Sequence, residues 1–120
     1  MKQKVISIRP FIGAKDFPES RRFYKEIGFK ETVLDPALSL FTWQGVSFYL
    51  QKAYVKDWVD NTMIFYQVEN VSDIWEELTS LKLPEKYSGV KLAPIRVESW
   101  GRECFLHDPS GILLHFGEFF

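Results

Sequence analysis

The sequence predicts an α+β protein built from two βαβββ modules whose strands form a curved mixed sheet with a concave binding face. Three observations predict it. The chain has 120 residues, which gives room for one core and not for two independent ones. Its segments run strand, helix, three strands, and then in the same order again, a repeat carried by pattern more than by letters. Each half closes on a hairpin whose return strand follows a glycine, Gly45 before VSFYL and Gly111 before ILLHF. The modules are expected over residues 4–52 and 61–118 of a single domain.

Residues 5–13 alternate Val5, Ser7 and Arg9 against Ile6, Ile8 and Pro10, the period of a strand. Pro10 has no amide hydrogen for a ladder, so it marks an edge, a bulge or a crossing point between subunits. Residues 14–27 place Phe23, Tyr24 and Ile27 on one helical stripe, with Asp16 as cap, Pro18 in the first turn and Gly28 as the stop. Runs rich in aromatic and branched residues follow at 29–34, 39–43 and 46–51, the last two joined by Gln44-Gly45. Residues 52–61 lack a clean period and read as a connector. A strand at 62–68 leads into a helix at 71–81, where Ser72, Trp75 and Glu76 spell a capped amphipathic start. Strands at 90–97, 102–106 and 112–116 complete the second module, the last two joined by the turn His107-Asp108-Pro109-Ser110-Gly111.

Composition excludes several classes of function. Fifteen basic against sixteen acidic residues give a net charge of −1, no surplus to drive binding to nucleic acid or to anionic lipid. No apolar run approaches the ~18 residues of a membrane helix, and the first ten residues do not read as a secretory signal. The single Cys104 forms no internal disulfide, which fits a soluble cytoplasmic protein. Aromatic residues make up 17% of the chain, more than a core of this size needs, so an aromatic pocket or a subunit interface is expected.

Paired βαβββ units of this length resemble the vicinal oxygen chelate superfamily, which includes glyoxalase I, extradiol dioxygenases, fosfomycin-resistance enzymes and bleomycin-resistance proteins. RRFYKEIGF looks like that superfamily's first helix and following strand, and DPSGILLHF like its closing hairpin. DNTMIFYQV at residues 60–68 and SWGRECFLHDPSG at residues 99–111 are more selective and look like the bleomycin-binding resistance proteins. The resemblance covers residues 9–116 and implies the glyoxalase/bleomycin-resistance fold.

Enzymes of the superfamily hold a divalent ion with His, Glu or Gln on the concave face. Carried over by resemblance, the four ligand positions fall on Arg9, Tyr49, Met63 and His115. A guanidinium is a permanent cation, and a phenol and a thioether are poor ligands for a hard metal. One imidazole remains, with Gln51 two residues beyond Tyr49 as a second donor, too few for the three or four ligands of a catalytic site. No cofactor is expected.

Residues two apart on a strand share a face, so the cavity lining extends from Arg9 to Phe11, from Tyr49 to Ser47 and Gln51, from Met63 to Phe65 and Gln67, and from His115 to Leu113. By resemblance Trp100 stacks on the planar part of a drug, and Phe65 replaces another aromatic of that site; the alternative is that both are core or subunit-contact rings. Gln51, Gln67 and Glu103 would fix the ligand's orientation. The loop at residues 35–38 lacks the aromatic that the resistance proteins carry there, and Arg9 suits an anionic partner better than a cationic one. Cys104 and His107, an odd separation apart on one strand, point to opposite faces and do not form a catalytic pair; Cys104 reads as core and His107-Asp108 as a turn. Glu76 and Glu77 read as helix surface.

The sequence thus predicts a cytoplasmic homodimer that binds a small planar organic molecule, a bleomycin-family antibiotic first among them, without metal or covalent chemistry. Pro10 is expected to be the hinge at which the first strand crosses to the partner. A metal-dependent lyase or dioxygenase of the glyoxalase type, and a dimeric module without a small ligand, are the alternatives.

Overall fold

The computed structural model describes residues 2–120. Two four-stranded mixed sheets are built from β1 (Phe11–Gly13), β2 (Lys30–Asp35), β3 (Leu38–Trp43) and β4 (Val46–Gln51), and from β5 (Met63–Gln67), β6 (Lys91–Val97), β7 (Gly101–His107) and β8 (Leu113–Phe119). Their strand orders, β1-β4-β3-β2 and β5-β8-β7-β6, are the same arrangement twice, with the first strand of each parallel to the last and the rest antiparallel. Each of the two expected modules contributes one four-stranded mixed sheet. Helices α1 (Phe17–Ile27), α2 (Lys56–Asp60), α3 (Val71–Ser80) and α4 (Leu83–Lys86) complete the chain.

Local chemistry sets the main helices. Asp16 is extended and its side chain accepts the Glu19 N–H at 3.1 Å, capping α1, while Gly28 at φ 127° ends it in a conformation that costs a glycine little. The cap of α3 is Asn70, whose side chain accepts the Asp73 N–H at 3.2 Å, rather than Ser72, which lies inside the helix. Glu118 on β8 adds a second cap, accepting the Val71 N–H at 2.9 Å and pairing with Arg102 at 3.0 Å. The expected connector contains α2, a single turn too short to show a period, with a Lys56–Asp60 ion pair at 2.6 Å. The four-residue α4 was likewise not expected from the sequence.

The largest departure lies at the start. Only Phe11–Gly13 of the expected strand at 5–13 pairs with β4; residues 2–10 run without a ladder, and Ile6 and Ile8 are 92% and 93% exposed. Alternation alone does not make a strand: backbone groups need a partner, and among the described residues none is offered before the Pro10 carbonyl, which accepts the Tyr49 N–H at 2.8 Å.

The alternating strands send Phe41, Phe48 and Leu50 of one sheet, and Cys104, Leu106, Leu114 and Phe116 of the other, into a common core with Phe23 and Tyr24 of α1. A buried polar knot fastens the halves together. The Asp108 carboxylate, fully buried, accepts the N–H groups of Ser110, Gly111 and Ile112 at 2.8–2.9 Å and the Tyr24 hydroxyl at 2.7 Å. Ser110 accepts the Lys15 N–H at 2.9 Å and meets Ser20 at 3.3 Å, so the closing turn of the second module rests on α1 of the first. Burial pushes the Asp108 carboxyl above its ordinary value, against the pull of its four donors. Burial also raises the Tyr24 phenol, and the neighbouring Asp108 charge adds to that.

Replacing Asp108 with Ala would leave three turn N–H groups and the Tyr24 hydroxyl without their acceptor inside the core. The expected loss is about 3 kcal/mol of unfolding free energy, read as a lowered urea midpoint. An unchanged midpoint would show that the knot contributes nothing.

Candidate ligand-binding site

The faces turned away from the core carry the site residues expected from the sequence. On the first sheet, Phe11 and Tyr49 are register partners in the parallel β1–β4 pair, and their rings stack at 4.6 Å with an interplanar angle of 20°. Arg9 Nη1 donates to the Tyr49 hydroxyl at 3.1 Å, and its guanidinium lies 5.9 Å from the centre of that ring. Ser47 and Gln51 flank Tyr49 at two-residue spacing, and Ser47 meets the Thr42 hydroxyl at 2.9 Å. This is a small aromatic platform with a cation at one end.

The second sheet carries the larger group. His115 on β8 is the register partner of Phe65 on β5 and of Phe105 on β7, which sets a ring on either side of the imidazole at 6.1 and 5.0 Å. Its Nδ1 lies 2.9 Å from Oε1 of Glu103, and its Nε2 lies 3.5 Å from the Met63 sulfur. Trp100, just before β7, packs against Phe119 at 4.9 Å and Phe65 at 5.7 Å, and Phe65 meets Phe119 at 6.0 Å. This triad rests on bare backbone: a Cβ at Gly117 would clash with the edge of the Phe65 ring and lie 3.0 Å from Trp100. Phe65 is 44% exposed and Met63 65%, so the group opens to solvent.

A cavity of about 740 Å³ lies beside Phe65, bounded by the β3–β4 hairpin at Trp43 and Ser47 on one side and by β5 and α3 on the other. Its floor is apolar, and its lining includes Glu69, Asp73 and Glu77 but no lysine or arginine.

Phe11, Tyr49 and Gln51 thus lie on one sheet with Arg9 held against it, and Met63, Phe65, Trp100, Glu103 and His115 cluster on the other; among the described residues no hydrogen bond or ring contact joins the two groups. Gln67 and Pro10 line the cavity instead. Two rings of the second group, Phe105 and Phe119, were not foreseen. Both follow from extending the two-residue period, from Glu103 to Phe105 and from His115 through Gly117 to Phe119, because β8 runs to Phe119, three residues beyond the expected end at Phe116. Cys104 points into the core, where burial pushes its thiol up to about 11. Glu76 and Glu77 are exposed.

No family model and no curated protein matches this sequence. Solved structures do. A bleomycin-binding protein complexed with bleomycin is 17% identical over 95% of this chain and 98% of its own, with a TM-score of 0.80. A second, from the bleomycin-producing Streptomyces verticillus and complexed with copper(II)-bleomycin, is 22% identical over 95% and 96%, also at 0.80. The chain has the glyoxalase/bleomycin-resistance fold. A lactoylglutathione lyase from Agrobacterium tumefaciens shares it at a TM-score of 0.72, 15% identical over 97% of this chain and 96% of that one.

The divalent-metal site that the family resemblance implies does not fit the residues here. The positions inferred for its ligands hold Arg9, Tyr49, Met63 and His115, a permanent cation, a phenol, a thioether and one imidazole. Among the described residues no group of three or more His, Cys, Asp and Glu side chains could hold a metal ion. What the glyoxalase/bleomycin-resistance fold presents in this chain is stacking surface, one oriented imidazole and an acid-lined cleft.

Gly117→Ala tests the geometry of the triad. The added methyl must displace Phe65 and press on Trp100, so the expected outcome is a shifted Trp emission maximum and an altered near-ultraviolet dichroism with the far-ultraviolet spectrum intact. Unchanged aromatic spectra would show that the rings do not lie over this glycine.

Proposed function

We propose that this chain is a binding protein that sequesters a small planar organic molecule, with antibiotics of the bleomycin type as the leading ligand, and that it works in the cytoplasm as a homodimer without metal or covalent chemistry. The observation that carries the reading is the open triad of Phe65, Trp100 and Phe119, on a fold that two bleomycin-binding proteins share. Exposed aromatic rings offer individual faces on which a flat ligand stacks, and sequestration demands only affinity.

The adjoining cleft supports a cationic ligand. Bleomycin-type drugs carry a cationic tail, and although the chain as a whole is near neutral, the three carboxylates of the cleft concentrate negative charge beside the rings. Arg9, the feature that favours an anion, sits against Tyr49 of the other sheet. His115, Glu103 and Gln67 offer polar atoms that orient the ligand.

The dimer is supported by what a single chain leaves bare. Val5, Ile6 and Ile8 are exposed in a segment that leaves the fold at Pro10. Pro10 lines the same cleft as β5, and β5 is the edge strand of its sheet. Beyond the three residues paired with β1, the β4 edge at residues 46–48 has no ladder on that side. An apolar arm from a second copy, turning at Pro10, would cover both edges.

Fold similarity to a lactoylglutathione lyase raises the glyoxalase-type alternative, but the donor set argues against it.

Titration of the purified protein with bleomycin is expected to give saturable heat and a change in Trp fluorescence, and Trp100→Ala to weaken binding at least about tenfold, equivalent to about 1.4 kcal/mol. No heat and no fluorescence change at high drug concentration would discard the named ligand. In sedimentation the intact chain should run as a dimer, and a chain lacking residues 2–9 as a monomer; a monomeric intact chain removes the assembly from the proposal.

A further inference from the structure

We infer that Lys91 and His107 form a carboxylate-binding pair at the far edge of the aromatic face, so that the molecule bound there is planar and carries an anionic oxygen group at one end. The inference rests on the proposed binding of a planar ligand and adds the group that orients it.

The register of the second sheet places the pair. Lys91 on β6, His107 on β7, Leu113 on β8 and Met63 on β5 form one row across the strands, and Ala93, Phe105, His115 and Phe65 form the next. Cys104 and Leu106 of β7 and Leu114 of β8 point into the core, so His107 stands on the open face with Phe105 and His115. It was read from the sequence as part of a turn, but β7 runs through it and gives it the same side as the rings. His107 is one two-residue step from Phe105 and, with strands about 4.8 Å apart and a rise of about 3.4 Å per residue, about 12 Å from Phe65 along the face.

The other charges of this face are already engaged. Arg96 lies 5.8 Å from the centre of the Phe105 ring and pairs with Glu98 at 3.4 Å, while Glu103 is taken by His115 at 2.9 Å. Among the described residues Lys91 has no carboxylate at ion-pair distance, and the His107 ring makes no hydrogen bond. Burial, and then the Lys91 charge beside it, hold the His107 imidazole below its ordinary value, so the pair presents an ammonium and a neutral imidazole near neutral pH. A carboxylate seated on both accepts a hydrogen bond from each and offsets the repulsion between them. The two edges of the sheet thereby differ in sign: β5 borders the cleft that contains Glu69, Asp73 and Glu77, and β6 carries Lys91. A planar molecule lying across the strands over Phe65, His115 and Phe105 is held in one direction only, with any cationic end at the cleft and its carboxylate on Lys91 and His107.

The experiment compares a fluorene carboxylate with the matching fluorene methanol, two flat probes that differ only in the charged group. Binding is read by calorimetry and by the ring proton resonances of the two histidines, which His107→Ala assigns. The carboxylate is expected to bind at least about tenfold more tightly than the alcohol and to move the His107 titration to higher pH, since it replaces a repelling neighbour with an attracting one. Lys91→Gln and His107→Ala should each bring the carboxylate down to the affinity of the alcohol. Lys91 is exposed, so its variant carries the test should His107→Ala not fold. Equal affinities for the two probes, an unmoved His107 titration, or a preference that survives in Lys91→Gln would overturn the inference and leave the planar-ligand reading standing. No binding of either probe by a chain that still binds bleomycin would overturn it too, and silence toward all three would discard both.

Discussion

The buried carboxylate of Asp108 is the interaction on which the rest of the structure depends. A carboxylate inside a core is costly unless its oxygens are fully used, and here four donors use them. Three come from the turn that aims β8 back along β7, and the fourth, Tyr24, comes from the helix of the other module. The direction of β8, and with it the placing of His115 and Gly117, is thereby tied to the packing of α1. A local turn motif is in effect the fastener between two halves that neither share a sheet nor exchange strands.

From that fastener the alternation of the strands does the positioning. Each strand gives one face to the core and the other to the open side, so two populations of aromatic residues arise from one sequence rule. Phe41, Phe48 and Phe116 are spent on the interior; Phe11, Tyr49, Phe65 and Phe119 are not. This division accounts for the aromatic excess in the composition.

Much of this was legible in the sequence, because the signals concerned are local. Asp16, Pro18 and Gly28 bound α1 by their own backbone and side-chain preferences, and Gln44-Gly45 sets its hairpin by the left-handed conformation of both residues, φ 50° and 85°. Met63 and His115 came from the family resemblance, and the period-two rule then placed Phe65 on the face of Met63. The misses have a common cause: each depends on a partner distant in sequence. Residues 5–10 alternate like a strand but find no ladder. Ser72 looks like a cap, yet Asn70 takes that role, aided by Glu118 from β8, 47 residues away. Asp108 reads as ordinary turn chemistry until Tyr24 is seen to reach it across 84 positions. That Glu103 and His115 are bonded likewise depends on the register of β7 against β8.

The missing side chain of Gly117 has an evolutionary corollary. The depth of the aromatic recess is set by an atom that is not there, so one codon change would raise its floor by a methyl group without disturbing the ladder of β8. Selection for thinner or thicker guests could act through that position alone, which makes it the natural dial by which descendants of this chain would diverge in what they accommodate.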